Sequence, residues 1–161
     1  MDDAQSHWAI RFPPDLKALY LEHRPLFPDG GAIDWVASED AVIESRLAWP
    51  FEGFWLDVEN NDIWWPEWGE RPEDLENRYE AFRTAFDAAP KLIPLYSYRY
   101  IPSMPHEAGN PVFSVYQTDV IYYGTDIMDY LDRELGGWDS KPWPDEIVEI
   151  PFWTCAVERN D

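Results

Sequence analysis

Between Pro90 and Leu135 the chain reads PKLIPLYSYRYIPSMPHEAGNPVFSVYQTDVIYYGTDIMDYLDREL, and few folds accept that order of residues. Leu92–Tyr100 and Val112–Tyr116 are rich in β-branched and aromatic side chains, which suit a pleated, half-buried surface. Each run is bounded by proline or glycine, the residues that end strands. Gln117, Thr118 and Asp119 separate the second run from Val120–Tyr123, the spacing of a tight hairpin. Gly124 lets the chain leave the strand. Thr125 or Asp126 can then cap a helix that carries Ile127, Tyr130, Leu131 and Leu135 on one stripe. Three β-segments, two turns and one helix are therefore expected here.

A meander followed at once by an acidic amphipathic helix resembles the SMI1/KNR4 family, also called the SUKH superfamily. The residues that carry the resemblance are Ile93-Pro94, Arg99-Tyr100-Ile101-Pro102, Gly109-Asn110-Pro111-Val112-Phe113-Ser114-Val115, Thr118-Asp119-Val120-Ile121-Tyr122-Tyr123-Gly124 and Tyr130-Leu131. The proline-led segment Pro13–Tyr20 extends it, since the family tends to open with such a helix. The resemblance implies an α+β fold and a binding protein without catalytic machinery. Many members are bacterial immunity proteins that neutralise toxins, often nucleases; others are housekeeping adaptors or regulatory scaffolds.

The rest of the chain gives further elements. Pro13 and Pro14 suit a first helical turn, where a missing N–H costs nothing. Leu16, Leu19, Tyr20 and His23 continue at helical spacing, and Pro25 with Pro28-Asp29-Gly30-Gly31 stops it. Ile33–Val36 reads as a short strand. Ser38 reads as the cap of a second helix through Val42, Ile43, Arg46 and Leu47, ending before Pro50 because proline inside a helix loses a hydrogen bond. Phe54–Val58 then reads as a strand and Asn60-Asn61-Asp62 as a turn. An aromatic loop from Ile63 to Gly69 follows. The clearest helix runs from Arg71 to Ala89, with Leu75, Tyr79, Phe82, Phe86 and Ala89 on one stripe facing the sheet. A loop around Trp138 and Trp143, an extended piece at Ile147–Ile150 and a last apolar turn or helix from Pro151 to Val157 complete the chain. The sum is a single α+β domain, with a central antiparallel or mixed sheet packed by helices and short tails at 1–8 and 158–161.

Charge narrows the partners. With 32 acidic against 12 basic side chains the formal net charge is −20. A field of that sign repels nucleic acid and anionic membranes and speeds encounter with a basic protein; it also keeps a protein soluble. The start, Met1-Asp2-Asp3, lacks the basic and apolar regions of a signal peptide, and no apolar run approaches the roughly 20 residues of a membrane span. A cytoplasmic protein is expected. Cys155, the single cysteine, sits in an apolar segment and reads as a small buried hydrophobe.

The segment 51–70, FEGFWLDVENNDIWWPEWGE, carries the candidate site. Asp57 and Glu59 on a strand would share one face within about 7 Å, a spacing open to glycoside hydrolysis, with Trp55, Trp64, Trp65 and Trp68 to stack on sugar rings. Asp57, Glu59, Asn60, Asn61 and Asp62 offer oxygen ligands of the kind calcium prefers, but not in EF-hand spacing. A turn rich in Asn and Asp is sufficient reason for them. His7, His23 and His106 are scattered, and no phosphate-binding, nucleophile-elbow or zinc motif occurs. Trp64, Trp65 and Trp68 either plug the sheet or stand exposed as interface anchors, where Trp is enriched.

The expectation is therefore a non-catalytic domain that needs no metal or cofactor and meets a basic protein, a cognate toxin, through Asp57, Glu59, Asp62, Trp64, Glu67, Trp68 and Glu70. A regulatory adaptor, and a carbohydrate-binding protein that uses the tryptophan loop, remain as alternatives. Oligomeric state is left open.

Overall fold

The computed structural model describes residues 2–23 and 31–160. The meander has four strands, one more than expected: β1 (Leu92–Tyr96), β2 (Arg99–Pro102), β3 (Val112–Tyr116) and β4 (Asp119–Gly124). They pair antiparallel in the order β1-β2-β3-β4. The additional strand arises from a hairpin inside the Leu92–Tyr100 run. Tyr96 pairs with Arg99, so Ser97 and Tyr98 form a two-residue turn, with Ser97 at φ 47°. The second hairpin repeats the device: Tyr116 pairs with Asp119 and Gln117 sits at φ 56°. The Ser97-Tyr98 turn has none of the glycine, asparagine or aspartate that such turns favour, which is why the sequence conceals it. Tertiary bonds hold it instead. The Ser97 amide donates to the Gly31 carbonyl at 3.3 Å, and the Ser97 carbonyl accepts from Arg46 Nη1 at 2.9 Å.

Successive strand residues point to opposite faces, and here both faces are covered. Ile93, Leu95 and Ile101 join an aliphatic-rich cluster with Phe12, Leu16, Tyr20, Ile43 and Tyr130. Leu92, Tyr100, Phe113 and Val115 join an aromatic cluster with Phe54, Trp65, Trp68, Phe82 and Trp153. The helices are α1 (Asp2–Trp8), α2 (Pro14–Glu22), α3 (Asp40–Asn60), α4 (Leu75–Asp87), α5 (Ile127–Gly136) and α6 (Trp153–Glu158). A single 3-10 turn spans Pro66–Trp68. The architecture is α+β, with one antiparallel sheet and, among the described residues, six α-helices. None of those helices is long and apolar enough to cross a membrane.

The largest departure from expectation is α3. It does not stop at Pro50: it runs unbroken from Asp40 to Asn60, so Phe54–Val58 is helical rather than a strand. A mid-helix proline cannot donate to the carbonyl four residues back, which here belongs to Arg46. The Tyr100 hydroxyl donates to that carbonyl at 3.0 Å. Tyr100 is fully buried, and burial pushes its hydroxyl above the ordinary tyrosine range, so it stays a donor. Strand β2 thus supplies the hydrogen bond that the proline removed.

Other boundaries also move. Residues 2–8, read as a tail, form α1: Ala4 is buried, Gln5 Oε1 accepts from the Phe12 amide at 2.7 Å, and Lys17 reaches Asp2 at 2.7 Å. Ile33–Val36 contributes no strand. Ala32 makes one isolated bridge to Tyr96, and Ile33 and Trp35 are buried as a loop. Ser38 is no cap; its hydroxyl accepts from the Asp34 amide at 3.1 Å. The stop at Pro25 and Pro28-Asp29-Gly30 lies outside the described residues. Helix α4 begins at Leu75, capped by Asp74, whose carboxylate accepts from Asn77 N at 2.9 Å. It packs chiefly on α3 and the 3-10 turn, and Phe82 shares the aromatic cluster with the sheet residues Leu92, Tyr100 and Phe113. Phe82 stacks at 5.4 Å on Phe51 and meets Trp68 at 5.1 Å, while Leu75 is exposed.

Asp126 caps α5 by accepting from the amides of Met128 and Asp129, both at 2.8 Å. On its stripe Ile127 and Tyr130 are buried and Leu135 is exposed. The buried position in the last turn belongs to Arg133, with its guanidinium 3.7 Å above the Trp143 ring and bonded to Asp129 and to the carbonyls of Trp138, Lys141 and Pro142. That arginine binds the 136–144 loop to the helix. Residues 147–150 form no strand, and Cys155 is only half-buried.

Candidate functional site

The last turns of α3 and the 3-10 turn bring the candidate residues to one corner, but they divide into two groups. Asp57 is 5% exposed. Its Oδ2 accepts from the Thr118 amide at 3.0 Å and hydroxyl at 2.6 Å, and its Oδ1 accepts from Asn61 at 2.6 Å. Asp57 therefore fastens the β3–β4 turn to α3 and offers nothing to a partner. Glu59 is exposed; two residues along a helix is more than half a turn, so the two carboxylates diverge. Helical geometry removes the acid–base pair that strand geometry suggested.

The indoles separate in the same way. Trp65 and Trp68 stack at 4.6 Å and are both buried in the aromatic cluster, so Trp68 is a core residue and not an interface anchor. Trp64 is half-buried, with its Nε1 donating to the Gly69 carbonyl at 2.9 Å and its ring 5.4 Å edge-on to Trp68. The exposed carboxylates are Glu59, Asp62, Glu67 and Glu70. Asp62 pairs with Arg71. Arg159 Nη2 lies 2.7 and 2.6 Å from the two oxygens of Glu67. The Glu67 carboxyl is held below its usual range, first by its own backbone N–H; burial opposes this and Arg159 adds to it. Glu59 and Glu70 have no cationic partner among the described residues. No group of three His, Cys, Asp or Glu side chains there is arranged to hold a metal.

The structure adds residues that the sequence did not single out. Trp49, on α3, donates from Nε1 to the Val115 carbonyl at 3.3 Å. Its ring lies 5.4 Å from Tyr98 and 6.1 Å from Tyr116, and those two tyrosines meet edge-on at 5.1 Å. Tyr98 and Tyr116 sit at the tips of the two hairpins, and Tyr116 is 48% exposed. The hairpin tip can lie this close because position 53 is glycine: a Cβ there would come within 3.0 Å of the Gln117 backbone. The only sequence signal was an aromatic residue beside each turn, which strand periodicity had already absorbed.

Trp49 and Glu59, one residue from each group, share one face of α3. Trp49, Glu52, Leu56 and Glu59 recur at helical spacing on α3, with Trp49 half-buried and the other three exposed. Ten residues at 1.5 Å each place Glu59 about 15 Å from Trp49. The result is a rigid stripe with aromatic rings at one end and carboxylates at the other. No protein-family model matches the chain, and neither does any curated protein or solved structure.

Proposed function

We propose that this protein is a non-catalytic binding domain that docks a basic protein along the outer face of α3. The observation that carries the reading is the stripe of Trp49, Tyr98, Tyr116, Glu52, Leu56 and Glu59, continued by Asp62, Trp64, Glu67 and Glu70. Half-exposed aromatics supply the anchoring energy of interfaces. Carboxylates on a chain of net charge −20 steer a cationic partner toward them. The role that fits best is that of an immunity protein covering the basic, substrate-facing surface of a toxin, as the resemblance to the SMI1/KNR4 family implies; a regulatory adaptor would use the same surface. The carbohydrate reading loses two of its four indoles, because Trp65 and Trp68 lie in the core.

The test is affinity capture from the native host, using wild type and a Tyr116→Ala/Glu52→Lys/Glu59→Lys variant of equal thermal stability. A basic protein should be retained by wild type and lost by the variant. Its association with wild type should slow as salt rises, while Tyr116→Ala alone should speed dissociation. A partner set that is identical for both proteins overturns the assignment of this face.

A further inference from the structure

A cavity of about 310 Å³ opens between α1, α3, α4 and the start of β1, and none of the stripe residues lines it. Trp8, Leu47, Phe51, Phe86 and Trp153 give it an aromatic, apolar wall. Lys91 lies on its rim and also lines a shallower adjoining depression, together with Arg11 and Met104. The two share Ile10, Ala89, Pro90 and Lys91, so they form one continuous groove.

The charge of this groove runs against that of the protein. Its lining carries Arg11, Arg83 and Lys91 but one carboxylate, Asp87, in a chain with 32 acidic and 12 basic side chains. Asp87 is taken by Arg83 at 2.8 Å. Lys91 and Arg11 have no carboxylate partner among the described residues. Lys91 Nζ donates to the Ala9 carbonyl at 3.1 Å, and Arg11 lies 3.4 Å from His106 Nδ1. An ammonium with three donors keeps two for another acceptor. Two cations left unpaired amid so many carboxylates, beside an aromatic hollow, match the usual makeup of a small-ligand site: a few hundred Å³, mostly apolar, with a few placed polar groups.

We propose that this groove binds a small amphipathic carboxylate, with its apolar body among Trp8, Phe51, Phe86 and Trp153 and its headgroup on Lys91, with Arg11 next along the groove. The carboxylate exchanges water for a charge-assisted bond, and the rings remove the body from water. An amine of the same body would meet like charge and be rejected.

The test titrates the 161-residue chain with octanoate, 1-octanol and octylammonium by calorimetry, with the indole N–H resonances followed by NMR. Octanoate should saturate a single site and bind about tenfold tighter than octanol, the worth of one charge-assisted hydrogen bond. Octylammonium should bind more weakly than either, and the Trp8 and Trp153 indole signals should move with octanoate. Lys91→Gln, at an exposed position, should bring octanoate to the affinity of octanol without changing the thermal midpoint. Ala48→Phe, which fills the hollow, should weaken both. No saturable binding of octanoate, binding no tighter than octylammonium, or unchanged affinity in Lys91→Gln each overturns the proposal. Because Lys91 is not one of the stripe residues, Lys91→Gln should retain the protein partner as wild type does.

Discussion

Asn160 Nδ2, just beyond α6, donates to the Val120 carbonyl at 3.0 Å, on the outer edge of β4. It shares its hydrogens with the Thr118 carbonyl at 3.1 Å and with Ala156, and Trp138 Nε1 donates to Tyr122 at 2.9 Å. Residues 118, 120 and 122 alternate along one side of the strand, so side chains cover the acceptors that an incoming strand would use. Sheet edges left open template self-association. An Asn160→Ala/Trp138→Phe variant should therefore shift to larger species as concentration rises, read by light scattering after gel filtration, under conditions where wild type does not.

The Tyr100 bond to Arg46 lets α3 pass through Pro50. Tyr100→Phe keeps the ring and removes the donor, which leaves a carbonyl unsatisfied inside the protein. The expected loss is about 1–3 kcal/mol in chemical denaturation. A Tyr100→Phe protein as stable as wild type would show that the proline break needs no such repair.

Asp57 and Glu59 are two residues apart with opposite roles. Asp57→Ala should cost about 1.5–3 kcal/mol, the range for hydrogen bonds to a charged group, and should speed hydrogen exchange at the Thr118 amide. Glu59→Ala, on the exposed side of α3, should stay within about 0.5 kcal/mol of wild type. Equal effects of the two would contradict the burial of Asp57.

Asp129 supplies an acid-sensitive tie between α5 and the 136–144 loop. Burial alone would raise its carboxyl, but Lys141, the Thr125 amide and Arg133 outweigh that and hold it at about 2, below the ordinary 3.8. A carboxyl whose folded value is depressed stabilises the fold above its unfolded value and loses that contribution as pH falls through the folded one. The gap in thermal midpoint between wild type and Asp129→Asn should therefore be widest above about pH 4 and should close toward about pH 2.

Much of the fold is written locally. Apolar runs bounded by Pro and Gly mark β1, β3 and β4, the proline pair marks the start of α2, Asp126 is a cap by its own side chain, and the stripe through Phe82 marks α4. Each of these follows from contacts within a few residues, which are present in the chain before it folds. What the sequence by itself could not determine depends on partners far along the chain. Pro50 lies inside a helix because Tyr100, fifty residues on, replaces its missing donor. Ser97-Tyr98 turns without glycine because Gly31 and Arg46 hold it. Asp57 and Trp68 read as surface groups because local chemistry favours exposure for a carboxylate and permits it for an indole. Only the tertiary structure decided otherwise, where Thr118 satisfies the carboxylate and the neighbouring rings cover the indole. Burial and hydrogen-bond satisfaction are sums over the whole fold, and no window of sequence contains them.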